Sequence, residues 1–229
     1  MNYFMKARLA PTALAAPPIL LMLNTLVDVQ ASQWMDTSSM LMLFGKGTLA
    51  AAITYFMVMI NRTIAVEIFQ RHIYRDELNF PTSRWLLASN NEMGAEYRQR
   101  IWQKVKEDFA LDLPPATMGD STEVLRHNSE VVGLIRQFVG NPPKLLRFNI
   151  EYGFFRNLIG ASLPVLLAGA VNVYLNQIDL LPDWAFRLTV AYMIIAALLI
   201  GLSRQIIDRY GVYYARVLFQ SYLDKKKTS

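Results

Sequence analysis

The stretch NLIGASLPVLLAGAVNVYLNQI, residues 157–178, decides what kind of protein this is: 22 consecutive positions carry no charge. Crossing the hydrocarbon core of a bilayer takes about 20 predominantly apolar residues as a helix. Three further stretches share this character. Leu9 to Val27 is 19 residues without a charge, Leu188 to Ser203 is 16, and Thr37 to Asn61 is 25 with only Lys46. Lipid offers no partner to an open backbone N–H or C=O, so each stretch is expected to be a helix. No run of alternating ~10-residue segments, the signature of a barrel, is visible. The predicted spans are about 9–27, 40–61, 157–176 and 187–203. The last covers about 26 Å between Arg187 and Arg204, and both arginines can lengthen it by reaching outward.

Around these spans the composition is spare in charge. The 229 residues are 53% apolar and 18% charged, with no Cys. A wholly soluble globule is close to excluded. A disulfide scaffold, a thiolate zinc site and a Cys nucleophile are excluded too. The basic residues are sorted by segment. Lys6 and Arg8 precede the first span; 13 basic and 12 acidic residues lie between Arg62 and Arg156; six basic residues follow Ser203. Thus 21 of 23 fall on one side, the pattern of cytoplasmic segments. The two short connections, with Trp34 and Trp184, fall outside. The fold expected is an all-α integral membrane protein, multi-pass, with both termini cytoplasmic. A helical cytoplasmic domain is inserted between its second and third transmembrane helices. Residues 1–61 form the first hairpin, 62–156 the cytoplasmic domain, 157–203 the second hairpin and 204–229 a basic tail. Lys6, Arg8, the apolar run and Val29-Gln30-Ala31 also fit a signal peptide. The run is longer than usual for one, and Pro17-Pro18 lies in its middle.

The inserted segment reads as helices separated by proline. Arg62 to Leu78 continues the second span as a stalk that Phe80-Pro81 ends. Glu92 to Phe109 is a helix with Tyr97, Ile101, Val105 and Phe109 on one edge. Asp120-Ser121 offers an N-cap to a helix with Leu125, Val132, Ile135 and Val139 on its stripe. Gly140-Asn141-Pro142-Pro143 is a turn, and the helix after it meets no breaker before the third span. The segment's charge is near zero, so no direct nucleic-acid binding is expected.

No catalytic signature is present, and no cofactor or metal is expected. His72 and His127 are the places for general acid–base work at the membrane surface, and a solvated helical histidine is the plainer reading of each. Polar residues inside spans are better clues, since lipid makes them costly. Lys46, between Gly45 and Gly47, either reaches the outer headgroups or faces a water-filled pathway between subunits. Asn24 and Asn172 are deep enough to hydrogen-bond across helices. Pro17-Pro18 should kink the first span or break it for a turn. Asn149, Gly153, Arg156 and Gly160 follow i, i+4, i+7, i+11, a small and polar face that enters the bilayer and suits close helix packing or an ordinary interfacial anchor.

Several motifs carry a resemblance. They are Phe80-Pro81-Thr82, Arg100-Ile101, Lys104-Val105-Lys106-Glu107-Asp108-Phe109, Leu113-Pro114, Val132-Gly133-Leu134-Ile135-Arg136 and Asn149 through Gly160. Together they resemble a family of small bacterial inner-membrane proteins from mobile antiphage-defence loci. Size and architecture also resemble the membrane effector associated with some retron reverse transcriptases. The resemblance implies a non-enzymatic abortive-infection effector, a toxin held inactive by its partners until a phage disturbs the host. Its partners would be the lipid bilayer, further copies in a homo-oligomer, and a cytoplasmic defence-system protein or ribonucleoprotein. The alternative is a membrane-tethered receptor or scaffold that binds a cytoplasmic partner or small nucleotide.

Overall fold

The computed structural model describes residues 3–34, 46–75, 78–112, 114 and 119–225, with the side chains of 28–50 outside the description. All regular structure among them is helical. We number the helices α1 (Ala10–Trp34), α2 (Lys46–Ile64), α3 (Arg71–Tyr74), α4 (Pro81–Arg84), α5 (Ala95–Phe109), α6 (Thr122–Val139), α7 (Pro143–Gln177), α8 (Asp183–Gly201) and α9 (Ser203–Asp224). π-Helical turns, Met5–Leu9 and Ala65–Gln70, lead into α1 and out of α2. Four helical stretches are long and apolar enough to cross a membrane: Met5–Val27, Ala51–Tyr74, Pro143–Gln177 and Asp183–Gly201.

The chain divides into two compact units. The first comprises 1–69 and 153–204, the second 70–152 and 205–229. In the first, α1, α7 and α8 bury Ala15, Ile19, Ala161, Val165, Ala168 and Ala196, with Met57 of α2 against them. A smaller cluster joins Leu175, Leu181 and Ala185. Small residues dominate because lipid tails are as apolar as leucine, so these helices gain from close approach rather than from escaping water.

The second unit has a core of water-soluble type, with Trp85, Leu86, Ile101, Trp102, Val105, Val132, Ile135, Leu218, Phe219 and Tyr222 buried together. Such a core withdraws large apolar surface from water at about 25 cal/mol per Å². Phe109, Phe138 and Tyr222 interlock at its edge, with ring centroids 5.7–6.2 Å apart. The Lys104 ammonium lies 5.3 Å from the Tyr222 ring centre and 3.2 Å from Asp108. Lys225 donates to the Phe138 carbonyl at 2.6 Å, where the open end of α6 favours a cation.

Several boundaries differ from the sequence reading, each for a local reason. The stalk after the second span ends at Tyr74, where Arg75 turns left-handed at φ +44° and its N–H returns to Arg71. Pro81 therefore opens α4 instead of stopping the stalk. α1 continues through Pro17 and Pro18 without the turn envisaged there. α6 starts as the cap predicts, with Ser121 Oγ accepting from the Val124 N–H at 3.3 Å, and stops at Gly140 with φ +71°. α7 is the uninterrupted rod, 35 residues or about 52 Å. The largest revision concerns 204–229. Through residue 224 it is no tail: α9 breaks from α8 at Leu202 and places Ala215, Leu218, Phe219 and Tyr222 in the second unit's core.

Candidate functional site

Within the first unit a seam of buried polar groups runs among the apolar helices. Its origin lies in the backbone. Ala7 lies in the first π-helical turn, and Pro11, four residues on, has no N–H to offer its carbonyl. Asn157 of α7 supplies the donor, Nδ2 lying 2.6 Å from the Ala7 oxygen. One turn further along α1, the Thr12 hydroxyl donates to the Arg8 carbonyl at 3.0 Å and accepts from Asn61 Nδ2 at 3.1 Å. Gly160 of α7 lies against the Asn61 carbonyl and against Ala65, the first residue of the second π-helical turn. A methyl group at Gly160 would collide with both, so this crossing requires glycine.

A second polar layer lies 15 residues further along α7, about 22 Å by helical rise. Asn172 donates to the Pro18 carbonyl at 2.8 Å and to Thr189 Oγ1 at 3.3 Å, thereby joining α1, α7 and α8. Between the layers lies the apolar cluster of Ala15, Ile19, Ala161, Val165, Ala168 and Ala196, with the buried Ser162 beside it. A groove of about 230 Å³ opens beside it, lined in part by Val165, Ala196 and Tyr192. The Ser162 hydroxyl on its wall is turned back to the Leu158 carbonyl at 3.1 Å.

Asn61, Asn157 and Asn172 are 0–2% exposed. Each spends its amide nitrogen on another helix, while no protein donor reaches its Oδ1. The amide orientations follow from their partners, because a carbonyl can only accept.

The residues singled out from sequence fare unequally. Asn172, Gly153 and Gly160 are buried in the seam. Gly153 lies against Ala7, where an added Cβ would sit 3.0 Å from the Ala7 methyl. Asn149 and Arg156 are half-buried, and Asn24 is exposed on α1. Lys46 is the first residue of α2, with its side chain outside the described residues. Asn157, Asn61 and Thr12 escape the sequence reading. Gly153, Asn157 and Gly160 form a helical stripe as good as the one through Arg156.

Of the histidines, His72 is exposed and His127 stacks on Trp102, with rings parallel within 1° and centroids 6.1 Å apart. Among the described residues no three His, Asp or Glu side chains gather as a metal site would require. No family model, curated protein or solved structure matches this chain.

Proposed function

We propose that the protein is a non-enzymatic effector of the bacterial inner membrane, of antiphage-defence type, with both termini and residues 62–156 cytoplasmic. In this reading a cytoplasmic partner acts on the second unit, the spans of associated copies shift, and the membrane leaks. The observation that carries it is the seam: buried asparagines in membrane-length helices, with oxygens that no protein donor satisfies. Intramembrane polar groups are expensive and tend to serve a path or a switch. The one-sided distribution of Lys and Arg supports the orientation. A leak requires two packings of similar energy, and small residues with interhelical hydrogen bonds provide a repackable interface.

The experiment is overproduction in a bacterial host while membrane potential is followed with a voltage-sensitive dye. Depolarisation that precedes loss of viability is expected. A potential that holds steady while cells stop growing would overturn the leak.

A second reading, a membrane-tethered receptor or scaffold, draws on the second unit's own core, which suits a surface held ready for a partner. Crosslinking in the native host, followed by purification of the full chain, separates the two. A scaffold yields one stoichiometric partner and no depolarisation.

A further inference from the structure

We infer that Arg8 and Arg156 form one site for the phosphate of an anionic membrane lipid, on a single flank of the α1–α7 crossing where both helices enter the bilayer. This rests on the spans crossing a bilayer and stands whether or not the membrane leaks.

The two arginines share a depth. Each is the last charge before a long apolar run: Leu9 to Val27 follows Arg8, and the 22 charge-free residues from Asn157 follow Arg156. The Asn157–Ala7 hydrogen bond joins the residue after Arg156 to the residue before Arg8, so the two runs start level with one another. The arginines also share a side. Ala7 meets Asn157 and Pro18 meets Asn172, so α1 and α7 run in the same direction. Successive residues of a helix are offset by roughly a quarter of a turn. Across a parallel crossing, the residue after the contact on one helix and the residue before it on the other therefore turn to the same flank. Arg8 and Arg156 are those residues. Tyr3 draws them closer. Its hydroxyl lies 3.1 Å from where a Cβ on Gly153 would sit, so its ring reaches α7. The Arg8 guanidinium is 5.7 Å from the centre of that ring, and Gly153 shares a face of α7 with Arg156 at i, i+3.

Two guanidinium groups brought to one flank repel unless an anion lies between them. The surrounding charge does not supply one. At this end the first unit carries Lys6, Arg8, Arg62, Arg156 and Arg204 against Glu67. Its remaining carboxylates are elsewhere, Asp28 and Asp36 after the first span, Asp179 and Asp183 between the last two. Donors remain for a ligand. Arg8 Nε is buried with no hydrogen-bond partner among the described residues, and the Arg156 fork holds more N–H groups than one side-chain partner consumes. A guanidinium fork matches two phosphate oxygens at once. At the boundary between headgroups and acyl chains, the phosphate present is that of a lipid. A zwitterionic headgroup brings its own cation toward the arginines, whereas an anionic one does not, so the site favours the anionic lipid.

The test titrates phosphatidylglycerol or phosphatidylcholine into the full chain in a neutral detergent and reads retained lipid by native mass spectrometry. Phosphatidylglycerol is expected to bind about tenfold more tightly than phosphatidylcholine. Arg8→Gln and Arg156→Gln should each weaken phosphatidylglycerol about tenfold, the loss of one charge-assisted partner. Arg187→Gln, at the opposite end of the spans, should leave it unchanged. Equal retention of the two lipids, or an equal loss in Arg187→Gln, would overturn the site and leave only a general attraction of basic residues to an anionic surface. Displacement of phosphatidylglycerol by inorganic phosphate at equal concentration would assign the arginines to a soluble anion and overturn the lipid. Should the glutamine variants not fold, Arg8→Lys and Arg156→Lys keep the charge and remove the fork; they should still weaken phosphatidylglycerol, and unchanged binding in both would overturn the site. None of these results bears on the leak, which the voltage-sensitive dye reads separately.

Discussion

Ala7 and Asn157 lie 150 positions apart and meet in one interaction: the Asn157 amide donates to the Ala7 carbonyl, to which Pro11, four residues on, has no N–H to offer. Asn157→Ala should leave the Ala7 carbonyl without that donor in a dry environment and cost about 1–2 kcal/mol. Reversible unfolding of the full chain in mixed detergent micelles measures it, and an unchanged midpoint would remove Asn157 from the account. The glycines of α7 make a sharper contrast. At Gly160 the obstacle to a methyl group is the α2 backbone, which cannot yield locally. At Gly153 it is the Ala7 methyl at 3.0 Å and the tip of Tyr3 at 3.1 Å, contacts less severe than at Gly160, and the tyrosine can swing aside. Gly160→Ala should therefore cost about 1–3 kcal/mol of overpacking, and Gly153→Ala less than about 1. Equal losses in the same assay would contradict the close crossing of α2 and α7.

Elements differ in how locally they are specified. α6 is written almost entirely in its own sequence, with Ser121 to start it, Gly140 to end it, and a stripe of Val124, Val131, Val132, Ile135 and Val139 to bury. Ser121→Ala should weaken the second unit by about 1 kcal/mol through loss of the cap. Hydrogen exchange at the amides of the first turn of α6 should quicken, and Val124 reports directly because its N–H is the one capped. The end of the second membrane-length helix is not written this way. Its last turns include a π-helical segment, Ala65–Gln70, a form that holds one residue more per turn and recurs at functional positions. No residue pattern in Ala65–Gln70 announces it; Gly160 against Ala65 fixes the helix at that point from outside.

At the scale of the molecule the two units bury different residues, small aliphatic side chains in the first and large aromatic ones in the second, so they should respond to different stresses. The second unit buries tyrosines. Burial first, and then the neighbouring Asp108 carboxylate, push the Tyr222 phenol well above its usual range; burial acts the same way on Tyr214 and Tyr97. A raised folded value means the fold favours the neutral phenol. That stabilisation is fully present below about pH 10, the ordinary tyrosine value, and is lost as pH rises from there toward the folded value. Unfolding of the second unit should therefore set in progressively above about pH 10, and Tyr222→Phe should make that decline shallower while changing stability at pH 7 by less than about 1 kcal/mol. Near-ultraviolet circular dichroism in an alkaline titration checks it, and identical declines for both proteins would mean that Tyr222 ionises as freely folded as unfolded.

The sequence by itself determined that this chain is helical and that four of its helices are long and apolar enough to cross a membrane. Charge-free length and the need to satisfy backbone groups are properties of a single segment, readable without knowing what lies beside it. The cap of α6 and the stripe of α5 were legible for the same reason, whereas α6 buries Val124 and Val131 in place of the Leu125 expected from its sequence. Only the tertiary structure decided that Asn157 meets the Ala7 carbonyl, because that bond is made to another helix and leaves no mark in the local pattern of α7. It also decided that residues 205–224 complete the core begun by residues 70–152. Tyr74 donates to the Ile207 carbonyl across 133 positions, and contacts over such distances leave no periodic trace in either segment.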